Sequence, residues 1–345
     1  MSPQWPTSDG IAKRDRFSSG WTGGVAVGLI VYIALAIALI LADGRAWPWL
    51  ELFNLYSDSV ASIGVAILTG AAARGSTDPA ARRTWWLLTA ALAAYSTGNL
   101  LHSTYWLYGV DPFPSIGDVF FLGFYPLVLA AVLTVIRTAA VRVQWVRLGL
   151  DTAILMLGFG AFFWFLVISP TADAQRDPNA LKYVLAQSYI ALNCLMLLAC
   201  GVLLMHSGAT PIRRRALMLL TLGFSSMSVA DIVWAMSKVD GSYIPGSVSD
   251  VIYLSCYIWL AAAAREQLRR RPGTRRAPSA FSVALIEGMP YIAMMVSFLV
   301  LVYVERSTAA SPVNTMTVII FVLTSLVMVR QGVLSRDDAL LRERR

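Results

Sequence analysis

Charge, histidine and cysteine are all scarce in this chain of 345 residues: 14% of positions are Asp, Glu, Lys or Arg, and there are two histidines and three cysteines. The scarcity of charge, set against 57% hydrophobic residues gathered in long unbroken runs, excludes a soluble globular domain. His102 and His206 fall on opposite faces of the predicted membrane topology, which argues against a metal or haem site, so no cofactor and no metal ligand are expected. Cys194, Cys200 and Cys256 all lie inside predicted apolar spans, where they read as small apolar residues and build no disulfide framework. No Ser/His/Asp arrangement, phosphate-binding glycine loop, kinase signature or cyclase signature is found. The one Gly-rich stretch, Gly20–Gly28, leads into a membrane helix with no strand before it. No catalytic residue is assigned, and no enzyme activity is expected of these residues.

What the chain does have is apolar runs of membrane-crossing length. A bilayer core of about 30 Å takes roughly 20 apolar residues per helix, and ten runs of that kind can be drawn: Trp21–Ala42, Leu52–Ala73, Thr84–Leu107, Gly117–Ile136, Leu148–Ile168, Tyr183–Met205, Ala216–Ser237, Ser249–Ala264, Phe281–Val304 and Pro312–Val329. The expected fold is therefore an all-α integral membrane protein of about ten transmembrane helices. The connections bear on sidedness, because short cytoplasmic loops collect Lys and Arg. Of the 28 basic residues, 23 fall in the N-terminal tail, in alternate connections and in the C-terminal tail. Arg45, Arg176, Lys182, Lys238 and Arg306 remain for the other side. This pattern predicts both termini in the cytoplasm. The net charge of +8 thus lies where anionic lipid headgroups are, with the bilayer as partner, and the short loops argue against nucleic acid. The first run is too long for a cleaved leader and lacks a small-residue cleavage site, so it reads as a retained helix.

A shift of 132 residues aligns the third and fourth spans with the seventh and eighth without a gap. Ser96 meets Ser228, Gly109 meets Gly241, Ser115 meets Ser247, Asp118 meets Asp250, Leu122 meets Leu254 and Tyr125 meets Tyr257, while Asn99 falls on Asp231. The same shift carries spans one and two onto five and six. The repeat unit is four helices, and an even number makes it a parallel repeat instead of an inverted one. The expected organisation is a tail at residues 1–20, four-helix repeats at 21–136 and 137–264, a basic loop at 265–280, a final helix pair at 281–329 and an exit helix at 330–345.

Two kinds of polar residue stand out in the spans. Ser115–Asp118 and Ser247–Asp250 each follow a turn-rich loop and begin an apolar helix, the arrangement of a capping box, with direct ligand contact as the alternative. Asp231 instead lies well inside its span, where an ionisable side chain costs roughly 2.5–3.5 kcal/mol and must face a partner, water or a bundle interior. Either it serves function or it glues helices together. Asp58, Asn99 and His102 occupy the same outer portion of the membrane in the first copy. With Tyr125, Tyr257 and neighbouring Trp and Tyr residues they suggest an aromatic-lined polar cavity, although aromatics also gather at membrane interfaces without any ligand.

The stretch Pro112–Pro126, with Asp151–Leu155 and Ser249–Leu254 further on, resembles the multi-helix membrane sensor modules found ahead of GGDEF and EAL domains, which make and break cyclic di-GMP. The resemblance spans roughly Trp85–Ala264. It implies a location in a bacterial cytoplasmic (inner) membrane and a signal-input function whose output is a cytoplasmic signalling domain in cis or in trans, without naming the stimulus. Val327, Leu334 and Leu341 are spaced by seven, a hint that the exit helix could pair in a homodimer. The competing expectation is a transporter of a small solute or ion, which a large bundle with intramembrane Asp residues also suits.

Overall fold

The computed structural model describes residues 8–42, 48–110, 112, 114–139, 212–239 and 243–269, together with scattered helical positions between 150 and 200 and between 321 and 331. Every extended element among the described residues is a helix: α1 (Ser8–Leu41), α2 (Pro48–Gly75), α3 (Pro79–Leu107), α4 (Ile116–Ala139), α5 (Arg214–Val239) and α6 (Val248–Leu268). These coincide with the first, second, third, fourth, seventh and eighth predicted spans. The fifth, sixth, ninth and tenth spans and the exit helix fall largely outside the described residues.

Among the described residues four stretches are long and apolar enough to cross a membrane: Trp21–Leu41 in α1, Leu50–Gly75 in α2, Ile116–Val135 in α4 and Val248–Leu268 in α6. The protein is an all-α, multi-pass membrane protein. In α1 both faces are apolar: Ala26, Leu29, Ile33 and Ala36 are buried, whereas Val27, Val31 and Leu35 are at least half exposed. A helix apolar all round, with one side bare, needs lipid against that side. By contrast, α3 and α5 are diluted by polar residues such as Thr89, Ser96, Asn99 and His102, or Thr221, Ser226, Ser228 and Asp231. Pro126 lies within α4, which continues through it to Ala139; membrane helices tolerate such a proline when neighbours satisfy the freed carbonyl.

Local chemistry sets the helix ends. Asp78 caps α3 by accepting from the Ala80 and Ala81 N–H groups at 2.8 and 2.9 Å, with Pro79 in the first turn, where a missing N–H costs nothing. At the other end Gly109 takes φ +68°, the Gly109 N–H donates to Trp106 C=O at 2.9 Å and the Val110 N–H to Tyr105 C=O at 3.0 Å, a Schellman stop. The limits on either side of the connecting loop keep the offset, since α3 ends at Leu107 and α5 at Val239, and α4 begins at Ile116 and α6 at Val248, each pair 132 residues apart. The far limits do not: α3 and α5 begin 135 apart at Pro79 and Arg214, and α4 and α6 end 129 apart at Ala139 and Leu268.

The chain divides into two compact units, one of Met1–Ala131, Pro211–Ala230 and Ile244–Pro272, the other of Val132–Thr210, Asp231–Tyr243 and Gly273–Arg345. This division does not follow the repeat boundaries. In the first unit α2 packs against α1, α3 and α6, and α1 packs against α6. The buried positions of α2 combine large side chains, Leu50, Val65 and Leu68, with small ones, Ser57, Ser59, Ala61, Ser62, Ala72 and Ala73, and the small ones let the neighbouring backbones come close. Most of the α2 hydroxyls bond locally or across the seam: Ser62 donates to Ser59 C=O at 3.0 Å, and Thr89 of α3 donates to Thr69 at 3.1 Å, whereas the buried Ser59 Oγ has no hydrogen-bond partner among the described residues.

Candidate functional site

Three of the predicted polar residues meet in the first unit. The Asp58 carboxylate, on α2, accepts at Oδ2 from the Asn99 side-chain amide of α3 and from the Tyr257 hydroxyl of α6, the latter at 3.1 Å. Asp58 lies ten residues from Pro48, Asn99 eight from Leu107 and Tyr257 nine from Val248, so all three stand at a similar level, about 12–15 Å in from their helix ends. Tyr257 is 1% exposed, and Asp58 and Asn99 are half-buried. A carboxylate at this depth is held by two donors from two other helices, the arrangement that lowers the cost of keeping a charge out of water.

The surroundings are polar on α2 and aromatic beyond it. Ser103 of α3 donates to Leu55 C=O at 2.7 Å, and Tyr32 of α1 donates to Ser57 C=O at 3.4 Å while its ring meets Phe53 edge-on at 5.7 Å. His102, half-buried, is one turn beyond Asn99 on α3. Tyr125 is buried on α4 beside Phe124, whose ring touches Tyr95 at 5.3 Å and Phe224 at 6.2 Å. Asp231, on α5, belongs to the second unit, where Trp234 and Tyr243 meet edge-on at 6.2 Å.

The repeated Ser-x-x-Asp pairs sit at the starts of α4 and α6. Asp118 Oδ2 accepts from the Ser115 N–H at 2.6 Å and from the Ser115 hydroxyl at 2.9 Å. Ser247 and Asp250 form a capping box, and Asp250 Oδ2 accepts from the N–H groups of Gly246 at 2.6 Å and Ser247 at 3.2 Å. Both carboxylates thus have a helix-starting role by geometry. Among the described residues no three His, Cys, Asp or Glu side chains group as metal ligands.

Asn54 and Gly246 are the residues that the sequence reading passes over. Asn54 precedes Asp58 by one turn of α2, and its buried Oδ1 has no hydrogen-bond partner among the described residues. Gly246 takes φ +84°, and a Cβ there would stand 3.1 Å from Asn54 Nδ2. The signal was available in part, since Asn54, Ser57, Asp58, Ser59 and Ser62 form a polar run in a span that is otherwise apolar. No protein family model matches the chain, and no curated protein and no solved structure matches it either.

Proposed function

We propose that the chain is a membrane signal-input module whose sensing element is the Asp58–Asn99–Tyr257 cluster. The carrying observation is that one carboxylate joins three helices at a single level. A change in the hydrogen bonding or charge at Asp58 would bias how α2, α3 and α6 pack, which is the physical content of a two-state input. The resemblance of Pro112–Pro126 to the modules that precede cyclic di-GMP domains supports the reading. The output is a cytoplasmic signalling domain in cis or in trans, reached through Val318–Arg345, with a homodimer giving a parallel pair of exit helices.

The test is a fusion of a dimerisation-dependent diguanylate cyclase domain after Arg345, read by a fluorescent cyclic di-GMP reporter in cells. Asp58→Asn and Tyr257→Phe should each shift the basal output at unchanged membrane abundance, and insertion of one to seven residues at the junction should modulate it with a helical period. Output indifferent to both variants and to insertion length refutes the proposal. The depth of the Asp58 carboxylate also suits a proton-coupled carrier. Uptake of a labelled solute by proteoliposomes, abolished by Asp58→Asn, would favour that second reading.

A further inference from the structure

We infer that α6 carries the state of the Asp58 cluster along the first unit to its far end, where the Gln267 side chain is the contact that the cluster controls; the inference rests on the reading of Asp58 as the sensing group. α6 runs from Val248 to Leu268 without a glycine or a proline, so it moves as one rigid piece.

The helical register gives α6 two working faces. Tyr257, Ala261, Ala264 and Leu268 follow one another at steps of four, three and four residues, which is one stripe of a helix. That stripe faces α2. Tyr257 donates to Asp58 at 3.1 Å, and further along a Cβ on Gly75 would meet the Leu268 side chain at 2.8 Å. Leu260 and Gln267, seven residues apart, lie on a second stripe turned toward α5. A Cβ on Gly223 would stand 2.7 Å from Leu260, and Gln267 accepts from the N–H of Arg213, one residue before α5, at 3.4 Å. Gln267 also donates to Ser76 Oγ, one residue past α2, at 3.5 Å. One side chain thus ties the end of α6 to the end of α2 and to the start of α5.

The two holds on α6 are unequal. At Tyr257 the acceptor is a carboxylate and the side chain is 1% exposed, so that bond is charge-assisted and shielded from water. Both bonds of Gln267 join neutral groups, exceed the usual span of roughly 2.7–3.2 Å, and belong to a half-buried side chain. Between the two holds the α2-facing stripe offers only Ala261 and Ala264, fully buried but too short to interlock. A sideways displacement of α6 that follows loss of the Tyr257 bond therefore meets no large side chain on this stripe before Leu268. Lengthening by a few tenths of an ångström is then enough to break the bonds of Gln267. The strong hold sets the state of the weak one.

The experiment uses Gly75→Cys paired with Leu268→Cys in the full chain in membranes, which leaves Gln267, Ser76 and Arg213 in place. Disulfide formation under mild oxidation is followed over time, with each single variant as the background from native cysteines. Tyr257→Phe should slow this cross-link several-fold. It should leave unchanged the rate of a Thr69→Cys and Thr89→Cys pair, which joins α2 to α3. A second measurement covers the case in which the cysteine pair does not fold. Tyr257 and Gln267 lie about 15 Å apart along α6, and the unfolding losses of Tyr257→Phe and Gln267→Ala should be less than additive, because either change frees the same helix. An unchanged Gly75–Leu268 cross-link, equal slowing of the Thr69–Thr89 pair, or strictly additive losses would each overturn the inference. The reporter fusion separates this failure from failure of the sensing reading. Output that shifts with Tyr257→Phe while cross-linking does not keeps Asp58 as the sensor and removes α6 as the carrier. Cross-linking that slows with no change of output supports the coupling along α6 and removes the sensing role.

Discussion

The bond between Tyr257 and Asp58 can be weighed by a double-mutant cycle. Tyr257→Phe removes one hydroxyl from a side chain that is 1% exposed and leaves its ring in place. Asp58→Ala removes the acceptor shared by Tyr257 and Asn99. Between membrane helices a neutral side-chain hydrogen bond contributes about 0.6 kcal/mol on average and about 1.7 kcal/mol at most. An ionised acceptor roughly doubles the strength of such a bond, so the coupling energy should be about 1–3 kcal/mol, or a factor of about 5–150 in the folding constant. Asp58→Ala alone should cost more than Tyr257→Phe, because it strands two donors at once, each at about 1–3 kcal/mol. The measurement is reversible unfolding in mixed micelles with rising dodecyl sulfate, followed by tryptophan fluorescence, for the parent chain, both single variants and the double variant. Additive losses within about 0.3 kcal/mol would refute the reasoning, since they would mean that the two side chains do not sense one another.

Gly246→Ala should destabilise the protein by about 1–2 kcal/mol or more, because alanine dislikes a positive φ and its Cβ would crowd Asn54. Gly109→Ala, with open space around the added carbon, should cost only the backbone part, and equal thermal shifts for the two variants would contradict the crowding at Asn54. Asp250→Ala should lose about 0.5–2 kcal/mol through the start of α6, seen as earlier amide exchange in its first turn than in its centre; unchanged exchange there would remove the capping role. For sidedness, cysteines placed in the Ala172–Asn179 and Asp240–Ser247 stretches should react with an impermeant maleimide from outside, whereas those at Gly75 or Gly273 should not. Labelling of Asp240–Ser247 from inside only would invert the predicted topology.

Hydropathy alone carries the class of the protein and much of its helix placement, because a membrane helix must satisfy its backbone internally and be apolar toward lipid. The offset of 132 residues also foretells where α3 and α5 stop and where α4 and α6 start, since helix ends depend on local capping chemistry that the repeat preserves. The partnership of Asp58, Asn99 and Tyr257 is legible only as a shared depth. Which faces turn toward one another depends on how α6 docks on α1 and α2, and no pattern within one span encodes that. Asn54 and Gly246 illustrate the gap more sharply. Their contact joins residues 192 positions apart, and a glycine in a turn-rich loop looks the same whether or not a side chain lies against it.

Several helix pairs in the first unit meet through a notch and a peg. A Cβ on Gly98 would stand 2.8 Å from the Phe121 ring, one on Gly64 2.7 Å from Leu29, and one on Gly223 2.7 Å from Leu260. Each peg fixes the axial register of its pair. To slide α4 along α3 by one turn, about 5.4 Å, the Phe121 ring would have to leave the recess at Gly98 and climb over Ala94 or His102, where no recess is provided. Rotation about the peg leaves the ring in its recess. The bundle is therefore geared for leaning and pivoting instead of piston travel, and any displacement it carries from one membrane face to the other would arrive as a change of angle.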